Sequence, residues 1–153
     1  MKALHSDKAP KALGPYSQAI VAGGFVFASG QVPIDPATGE FAEGGIKEQT
    51  KQSLTNVTNV LAEAGIDLTH VVKTTVFLSD MDNFAAMNEV YATFFKEPFP
   101  ARSAVAVKTL PKALLLRLKF VATLEKIIFA NNKSFIGGTG LLGLGSPPFF
   151  CLF

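Results

Sequence analysis

Residues 46–78 read IKEQTKQSLTNVTNVLAEAGIDLTHVVKTTVFL, and this stretch decides the fold class. In its first part, apolar residues recur at steps of three and four, with polar residues between them: Leu54, Val57, Leu61 and Ala64. This spacing predicts an amphipathic helix over 46–64, ended by Gly65. The last part, Val71–Leu78, is rich in β-branched residues and too short for a convincing helix, so it predicts a strand.

Before this stretch, the sequence predicts a β-hairpin and a loop. Two short β-favouring runs, Gln18–Val21 and Phe25–Ser29, are separated by Gly23-Gly24, a pair that readily adopts a tight turn. Turn-forming residues then crowd between Pro33 and Gly45, which indicates an irregular surface loop.

After this stretch, a second helix and two more strands are predicted. The three-four spacing returns at Phe84, Met87, Tyr91 and Phe94, and the prolines at 98 and 100 end this helix by about Lys96. Ala104–Val107 and Leu114–Leu124 are predicted strands. The order β-β-α-β-α-β-β indicates an α+β fold, with two helices packed on one face of a mixed sheet.

Length and charge limit the possible functions. The 153 residues suit one domain, and 14 Lys and Arg against 12 Asp and Glu give a net charge of only +2. No nucleic-acid partner is expected from this balance. The single cysteine, Cys151, allows no intramolecular disulfide, and the N-terminus lacks the apolar core of a secretory signal, so a cytoplasmic location is expected.

The last 27 residues differ in composition from the rest of the chain. Residues 127–153 are rich in Phe, Leu and Gly with almost no charge, so we predict a domain over 1–126 followed by a divergent, irregular tail. The glycines and Pro147-Pro148 argue against a helix that spans a membrane, and no membrane partner is expected.

Motifs for common cofactors are absent from the sequence. It contains no glycine-rich phosphate loop, no histidine pair at metal-binding spacing and no Gly-x-Ser-x-Gly elbow, so classical cofactor and triad enzymes are disfavoured. The isolated His5 and His70 are assigned no role. Arg102 is more informative, because the chain has only one other arginine and a guanidinium matches a carboxylate with two parallel hydrogen bonds. It predicts either an anchor for a small carboxylic acid or a surface ion pair.

Several separated motifs resemble those of the RidA (YjgF) family of imine deaminases. They lie between residue 1 and about residue 112: GPYSQ at 14–18, ASGQ at 28–31, VKTTVFL at 72–78, MNEVY at 87–91 and PARS at 100–103. The resemblance implies a chorismate-mutase-like fold and a homotrimer whose sheets form a central barrel, with ligand clefts between subunits. It also implies hydrolysis of 2-iminobutanoate and 2-iminopropanoate to 2-keto acids and ammonia without a cofactor. By the family pattern, Arg102 clamps the substrate carboxylate, and four other residues line the cleft: Tyr16, Ser29, Gly30 and Asn88.

The last strand departs from the family pattern. Relatives carry a water-positioning glutamate in a Glu-Ile-Glu motif, whereas residues 114–119 read LLLRLK, which places Arg117 at the catalytic glutamate and Lys119 at the second one. Arginine cannot act as a general base, so weakened or lost activity is expected. A one-base slip of the reading frame near Lys112 and a divergent paralogue are alternative origins of this stretch and of the tail.

Two other functions remain open at this point. One is a catalytically inactive or chaperone-like member of the family that still binds small carboxylic acids. The other is a translation-inhibiting endoribonuclease, a role reported within the family, which the near-neutral composition supports little.

Overall fold

The computed structural model describes residues 1–125, which form a six-stranded mixed sheet with two α-helices on one face. The strands are β1 (Lys2–Leu4), β2 (Ala19–Ala22), β3 (Phe25–Gln31), β4 (Val71–Leu78), β5 (Ala101–Ala106) and β6 (Leu116–Thr123). The helices are α1 (Ile46–Ala62) and α2 (Phe84–Phe94). The predicted α+β fold is confirmed, including the mixed sheet and the placement of its helices.

The sheet has the order β1-β2-β3-β6-β4-β5, and β4 and β5 are its parallel pair. Strand β6 lies in the centre and runs antiparallel to both of its neighbours, β3 and β4. The predicted hairpin is formed by β2 and β3, and both turn glycines, Gly23 and Gly24, have positive φ. This conformation explains the pair, because residues with a Cβ rarely adopt it.

One face of the sheet is covered by the helices and holds the core. In β6, alternate residues point into this core and are almost fully buried: Leu116, Leu118, Phe120 and Ala122. They meet buried residues of α1, namely Leu54, Val57, Val60 and Leu61. The other face of the sheet is uncovered in a single chain, and we call it the open face.

The predicted loop before α1 is fixed by one buried amide. Asn56 of α1 is fully buried, and its Nδ2 donates hydrogen bonds to the carbonyl oxygens of Val32 (2.9 Å) and Ile34 (2.8 Å). Two backbone acceptors of an irregular segment are thereby satisfied inside the protein.

The structure corrects the sequence predictions at several element ends. The N-terminal strand β1 was not predicted, and β5 begins three residues earlier than expected, so that Arg102 lies within the strand. Helix α1 ends at Ala62 and α2 at Phe94, two residues before the predicted ends. The predicted tail over 127–153, with Cys151, lies outside the described residues. Within residues 1–125, no helix combines the length and the apolar character needed to cross a bilayer.

Candidate functional site

The two arginines lie on opposite faces of the sheet. Arg102 is paired in register with the buried Thr74, and its side chain contacts α2 on the helix-covered face. Arg117 alternates with the fully buried Leu116 and Leu118, so its side chain points to the open face. Within one chain, the sheet therefore separates the predicted carboxylate clamp from the position of the expected glutamate.

The guanidinium of Arg102 is held in place by neutral groups. Its Nη1 donates a hydrogen bond of 2.7 Å to Oδ1 of Asn88. Its Cζ lies 4.7 Å from the ring centroid of Tyr91 and 5.5 Å from that of Phe84, which are distances for cation–π contacts. Among residues 1–125, Arg102 forms no ion pair with a carboxylate. The ion-pair interpretation of Arg102 therefore finds no partner in this part of the chain.

The spacing of residues along α2 explains the contacts of the Arg102 guanidinium. Phe84, Asn88 and Tyr91 are spaced by four and three residues, so α2 presents them along one stripe toward Arg102. The Tyr91 hydroxyl is 2.9 Å from the hydroxyl of the buried Thr74, which fixes the ring against β4. Burial raises the pKa of Tyr91, while the hydrogen bond with Thr74 and the charge of Arg102 act in the opposite direction.

Arg117 lies directly against Gly30. Its Nε donates to the Gly30 carbonyl oxygen at 3.4 Å, across the pair formed by β3 and β6. A Cβ at position 30 would lie only 2.8 Å from Cγ and Cδ of Arg117 and would overlap its Nε. A larger residue at position 30 would therefore force the Arg117 side chain to move. No described residue forms an ion pair with Arg117.

Tyr16 and Gly30 both line a cleft of about 280 Å³ at the side of the sheet that carries the N-terminal segment. The Tyr16 side chain is half exposed, and its hydroxyl accepts a hydrogen bond of 3.3 Å from the Leu13 amide. Lys11 and Lys112 also line this cleft, together with Asp7. The opening therefore has apolar walls with both signs of charge at its rim.

Ser29 belongs to a second cavity, on the open face. Its hydroxyl donates a hydrogen bond of 2.7 Å to the Ser17 carbonyl oxygen, which ties β3 to the segment before β2. The cavity measures about 380 Å³ and is also lined by Lys73, Thr75 and Lys119. Arg102 lines neither of these two openings.

The predicted site residues thus lie in three places within one chain. Tyr16 and Gly30 line the N-terminal cleft, with Arg117 against Gly30; Ser29 lines the open-face cavity; Asn88 and Arg102 are hydrogen-bonded to each other. Sequence reasoning missed the part played by Tyr91 and Phe84 in holding Arg102. Their shared helical stripe with Asn88 was the available signal. No set of three or more metal-ligating side chains occurs among the described residues.

Sequence comparison identifies clear relatives of this chain. The family model described as Endoribonuclease L-PSP, which represents the YjgF/RidA family, matches residues 6–124. The 2-iminobutanoate/2-iminopropanoate deaminase of Homo sapiens is 44% identical over 121 residues, covering 79% of this chain and 88% of the human protein.

Solved structures agree in fold. RidA from Psychrobacter sp. has a TM-score of 0.77 at 41% identity, and the match covers 80% of this chain and 99% of that one. TdcF from E. coli, solved with bound serine, has a TM-score of 0.76 at 40% identity, with 80% and 98% covered.

Proposed function

This chain belongs to the RidA (YjgF) family, and on that premise we propose that it binds small 2-imino and 2-keto acids and hydrolyses the imino acids slowly. The family supplies the class of reaction, because the human relative is named for the deamination of 2-iminobutanoate and 2-iminopropanoate. We expect a reduced rate because Arg117 and Lys119 of β6 replace the expected glutamates.

The observation that carries this proposal is the placement of Arg102. Its guanidinium is oriented by Asn88 and by two aromatic rings, yet no carboxylate among residues 1–125 neutralises it. A cation that is held in position but left unpaired is suited to bind a carboxylate with two parallel hydrogen bonds. We assign to Arg102 the carboxylate of the substrate.

The cleft would form between two copies of the chain. Arg102 and Arg117 lie on opposite faces of one sheet, so Arg102 of one copy would complete the surroundings of Gly30 and Arg117 of another. The open face also exposes large apolar side chains that favour such an assembly: Phe25, Phe27 and Val105. We propose the homotrimeric barrel of the family as this assembly.

Arg117 limits the chemistry. Water adds to the iminium carbon and loses a proton, and the resulting carbinolamine then expels ammonia to leave the keto acid. A carboxylate near the attacking water would accept that proton, whereas arginine stays protonated at ordinary pH. Orientation by Arg102 remains, but general-base assistance, typically worth about 10²–10⁴-fold, is lost.

The test generates 2-iminopropanoate in situ and follows its decay with the parent protein and with three variants. Arg117→Glu should raise kcat/KM by roughly 10²–10⁴-fold. Arg117→Gln is the matched control, because it removes the charge without supplying a base, and it should leave the rate low. Arg102→Ala should abolish binding of 2-oxobutanoate in calorimetry. Unchanged keto-acid affinity in Arg102→Ala would overturn the assignment of the clamp.

A second candidate, binding without turnover, is favoured by the contact of Arg117 with Gly30. In that case the parent protein binds 2-oxobutanoate but does not accelerate imine decay at all, and Arg117→Glu restores acceleration. An endoribonuclease, the activity named in the family description, is a weaker candidate at a net charge of +2. RNA cleavage that copurifies with the chain through several columns would revive it.

A further inference from the structure

Each of the two arginines keeps one pair of hydrogen-bond donors without a partner among residues 1–125. Arg102 donates from Nη1 to Asn88, which leaves the edge formed by Nε and Nη2. Arg117 donates from Nε to the Gly30 carbonyl oxygen, which leaves the edge formed by Nη1 and Nη2. Either edge of a guanidinium matches the two oxygens of a carboxylate. Each arginine can therefore bind one carboxylate and keep the contact that holds it in place.

Acidic side chains of the sheet do not neutralise these two cations. None of the six strands contains an aspartate or a glutamate, and neither arginine forms an ion pair within the described part of the chain. The cleft that Gly30 lines has two lysines, Lys11 and Lys112, and a single acidic residue, Asp7. Positive charge therefore exceeds negative charge among the groups assigned to the proposed ligand cleft.

In the proposed assembly, Arg102 of one copy and Arg117 of another belong to the same cleft. A monocarboxylic acid can pair with only one of them. If Arg102 holds its carboxylate, Arg117, which is half buried already in a single chain, would be enclosed without an anion. A buried charge without a partner is costly, and a second carboxylate on the ligand would remove that cost.

We propose that Arg117 makes the cleft selective for short 2-oxo and 2-imino dicarboxylic acids. Arg102 binds the carboxylate next to the oxo or imino carbon, and Arg117 binds the distal carboxylate. The replacement that removes the expected general base thus supplies a second anion site, and Arg117 determines specificity without taking part in proton transfer. This role rests on the proposed function, because it needs both arginines in one cleft.

Arg117 fits this role better than Lys119, the other cation of β6 on the same face of the sheet. Arg117 is half buried and held against Gly30, whereas Lys119 is exposed and its side chain makes no hydrogen bond within residues 1–125. A side chain that is already held loses less conformational freedom when a ligand binds. A guanidinium also offers two parallel hydrogen bonds to a carboxylate, which an ammonium group does not.

The experiment measures the affinities of the full chain, by calorimetry at constant ionic strength, for acids paired by chain length. Each pair contains a dicarboxylate and a monocarboxylate: oxaloacetate with 2-oxobutanoate, 2-oxoglutarate with 2-oxopentanoate, and 2-oxoadipate with 2-oxohexanoate. In at least one pair the dicarboxylate should bind roughly tenfold more tightly, as expected for an added hydrogen bond between charged partners. Equal affinities within every pair would overturn this proposal and leave the clamp at Arg102 standing. Failure of all the acids to bind would overturn the proposed function and this proposal with it.

Substitutions at position 117 assign the preference to one side chain. Arg117→Gln should remove it, Arg117→Lys should retain part of it, and Arg117→Glu should reverse it, because a glutamate repels the distal carboxylate. Each preference is a ratio within one variant, so a general loss of binding sites cancels.

The matched control is Lys51→Gln, which makes the same charge change on an exposed residue of α1 and should keep the preference of the parent. Equal loss in Arg117→Gln and Lys51→Gln would show that only net charge is sensed, and the proposal would be rejected. A preference that survives Arg117→Gln would also reject it, since another group would then bind the distal carboxylate.

Discussion

The guanidinium carbon of Arg102 lies 4.7 Å from the ring centroid of Tyr91, and the hydroxyl of the same ring lies 2.9 Å from the Thr74 hydroxyl. One aromatic side chain thus connects three elements: it is carried by α2, bonded to β4 and in contact with the cation of β5. Tyr91 is almost fully buried, so its position is set by the core. The position of Arg102 therefore depends on packing beneath it as well as on Asn88.

Removal of the Tyr91 ring should weaken ligand binding indirectly, because the ring positions Arg102. We expect Tyr91→Leu to lower the affinity for 2-oxobutanoate by about two- to fivefold, since an exposed cation–π contact is worth about 0.5–1 kcal/mol. Tyr91→Phe keeps the ring and should bind within twofold of the parent. Calorimetric titration measures both. Equal losses in the two variants would show that the hydroxyl, and not the ring, positions Arg102.

Tyr91 should also make stability depend on alkaline pH. Burial raises its pKa in the folded state above its usual value of 10.0. Between pH 10 and the raised pKa of the folded state, Tyr91 keeps its proton in the folded chain but has lost it in the unfolded chain. The contribution of Tyr91 to the free energy of unfolding is therefore complete below pH 10 and decreases as pH rises further. The urea midpoint of the parent should therefore fall more steeply above pH 10 than that of Tyr91→Phe. Parallel curves would contradict this assignment.

Gly30 and Arg117 should be coupled energetically. Gly30→Ala introduces a Cβ that overlaps Arg117, and overpacking of this kind costs about 1–3 kcal/mol. In an Arg117→Ala background the same change should cost much less, because the obstructing side chain is gone. A double-mutant cycle from denaturant unfolding measures the difference. Additive free energies of unfolding would show that the two residues do not obstruct each other.

Asn56 should be important for stability because its amide is fully buried. Asn56→Ala removes the buried donor of the Val32 and Ile34 carbonyl oxygens, which keep only the Ile34 amide at 2.9 Å and Nε2 of Gln52 at 3.5 Å, and we expect a loss of about 1–3 kcal/mol. Asn59→Ala is the matched control, because Asn59 lies on the same helix and its hydrogen bond to the Lys8 carbonyl is exposed. It should cost less than about 1 kcal/mol. Similar losses in both variants would show that burial of the Asn56 hydrogen bonds adds nothing to stability.

Local patterns predicted most of the fold because its main elements are encoded by nearby residues. Val71–Leu78 forms the strand that its β-branched residues indicate, and the Gly23-Gly24 turn joins the predicted hairpin. Strand β1 escaped prediction because its pairing depends on a distant residue. The buried Gln18 side chain accepts from the Ser6 amide and donates to the Pro10 carbonyl, and this holds the N-terminal segment beside β2.

The contacts of the candidate site could not be predicted from the sequence, although its residues could be named. Arg102 and Asn88 could be named from their motifs, yet the bond between them joins a helix to an edge strand. The contact of Arg117 with Gly30 joins residues 87 positions apart and arises from the pairing of β3 with β6. Neither contact lies within one helix or strand, so no periodic pattern in the sequence could predict it. The roles of all five predicted residues in ligand binding stay predictions: Tyr16, Ser29, Gly30, Asn88 and Arg102.

Arg102 and Arg117 point away from each other through the thickness of one sheet. A three- or four-carbon acid is too short to reach around that barrier, so any molecule that touches both guanidiniums must bridge two polypeptides. Turnover per chain would then fall on dilution, and mixing the parent, which supplies Arg102, with an Arg102→Ala/Arg117→Glu double variant, which supplies the glutamate, would assemble some active clefts.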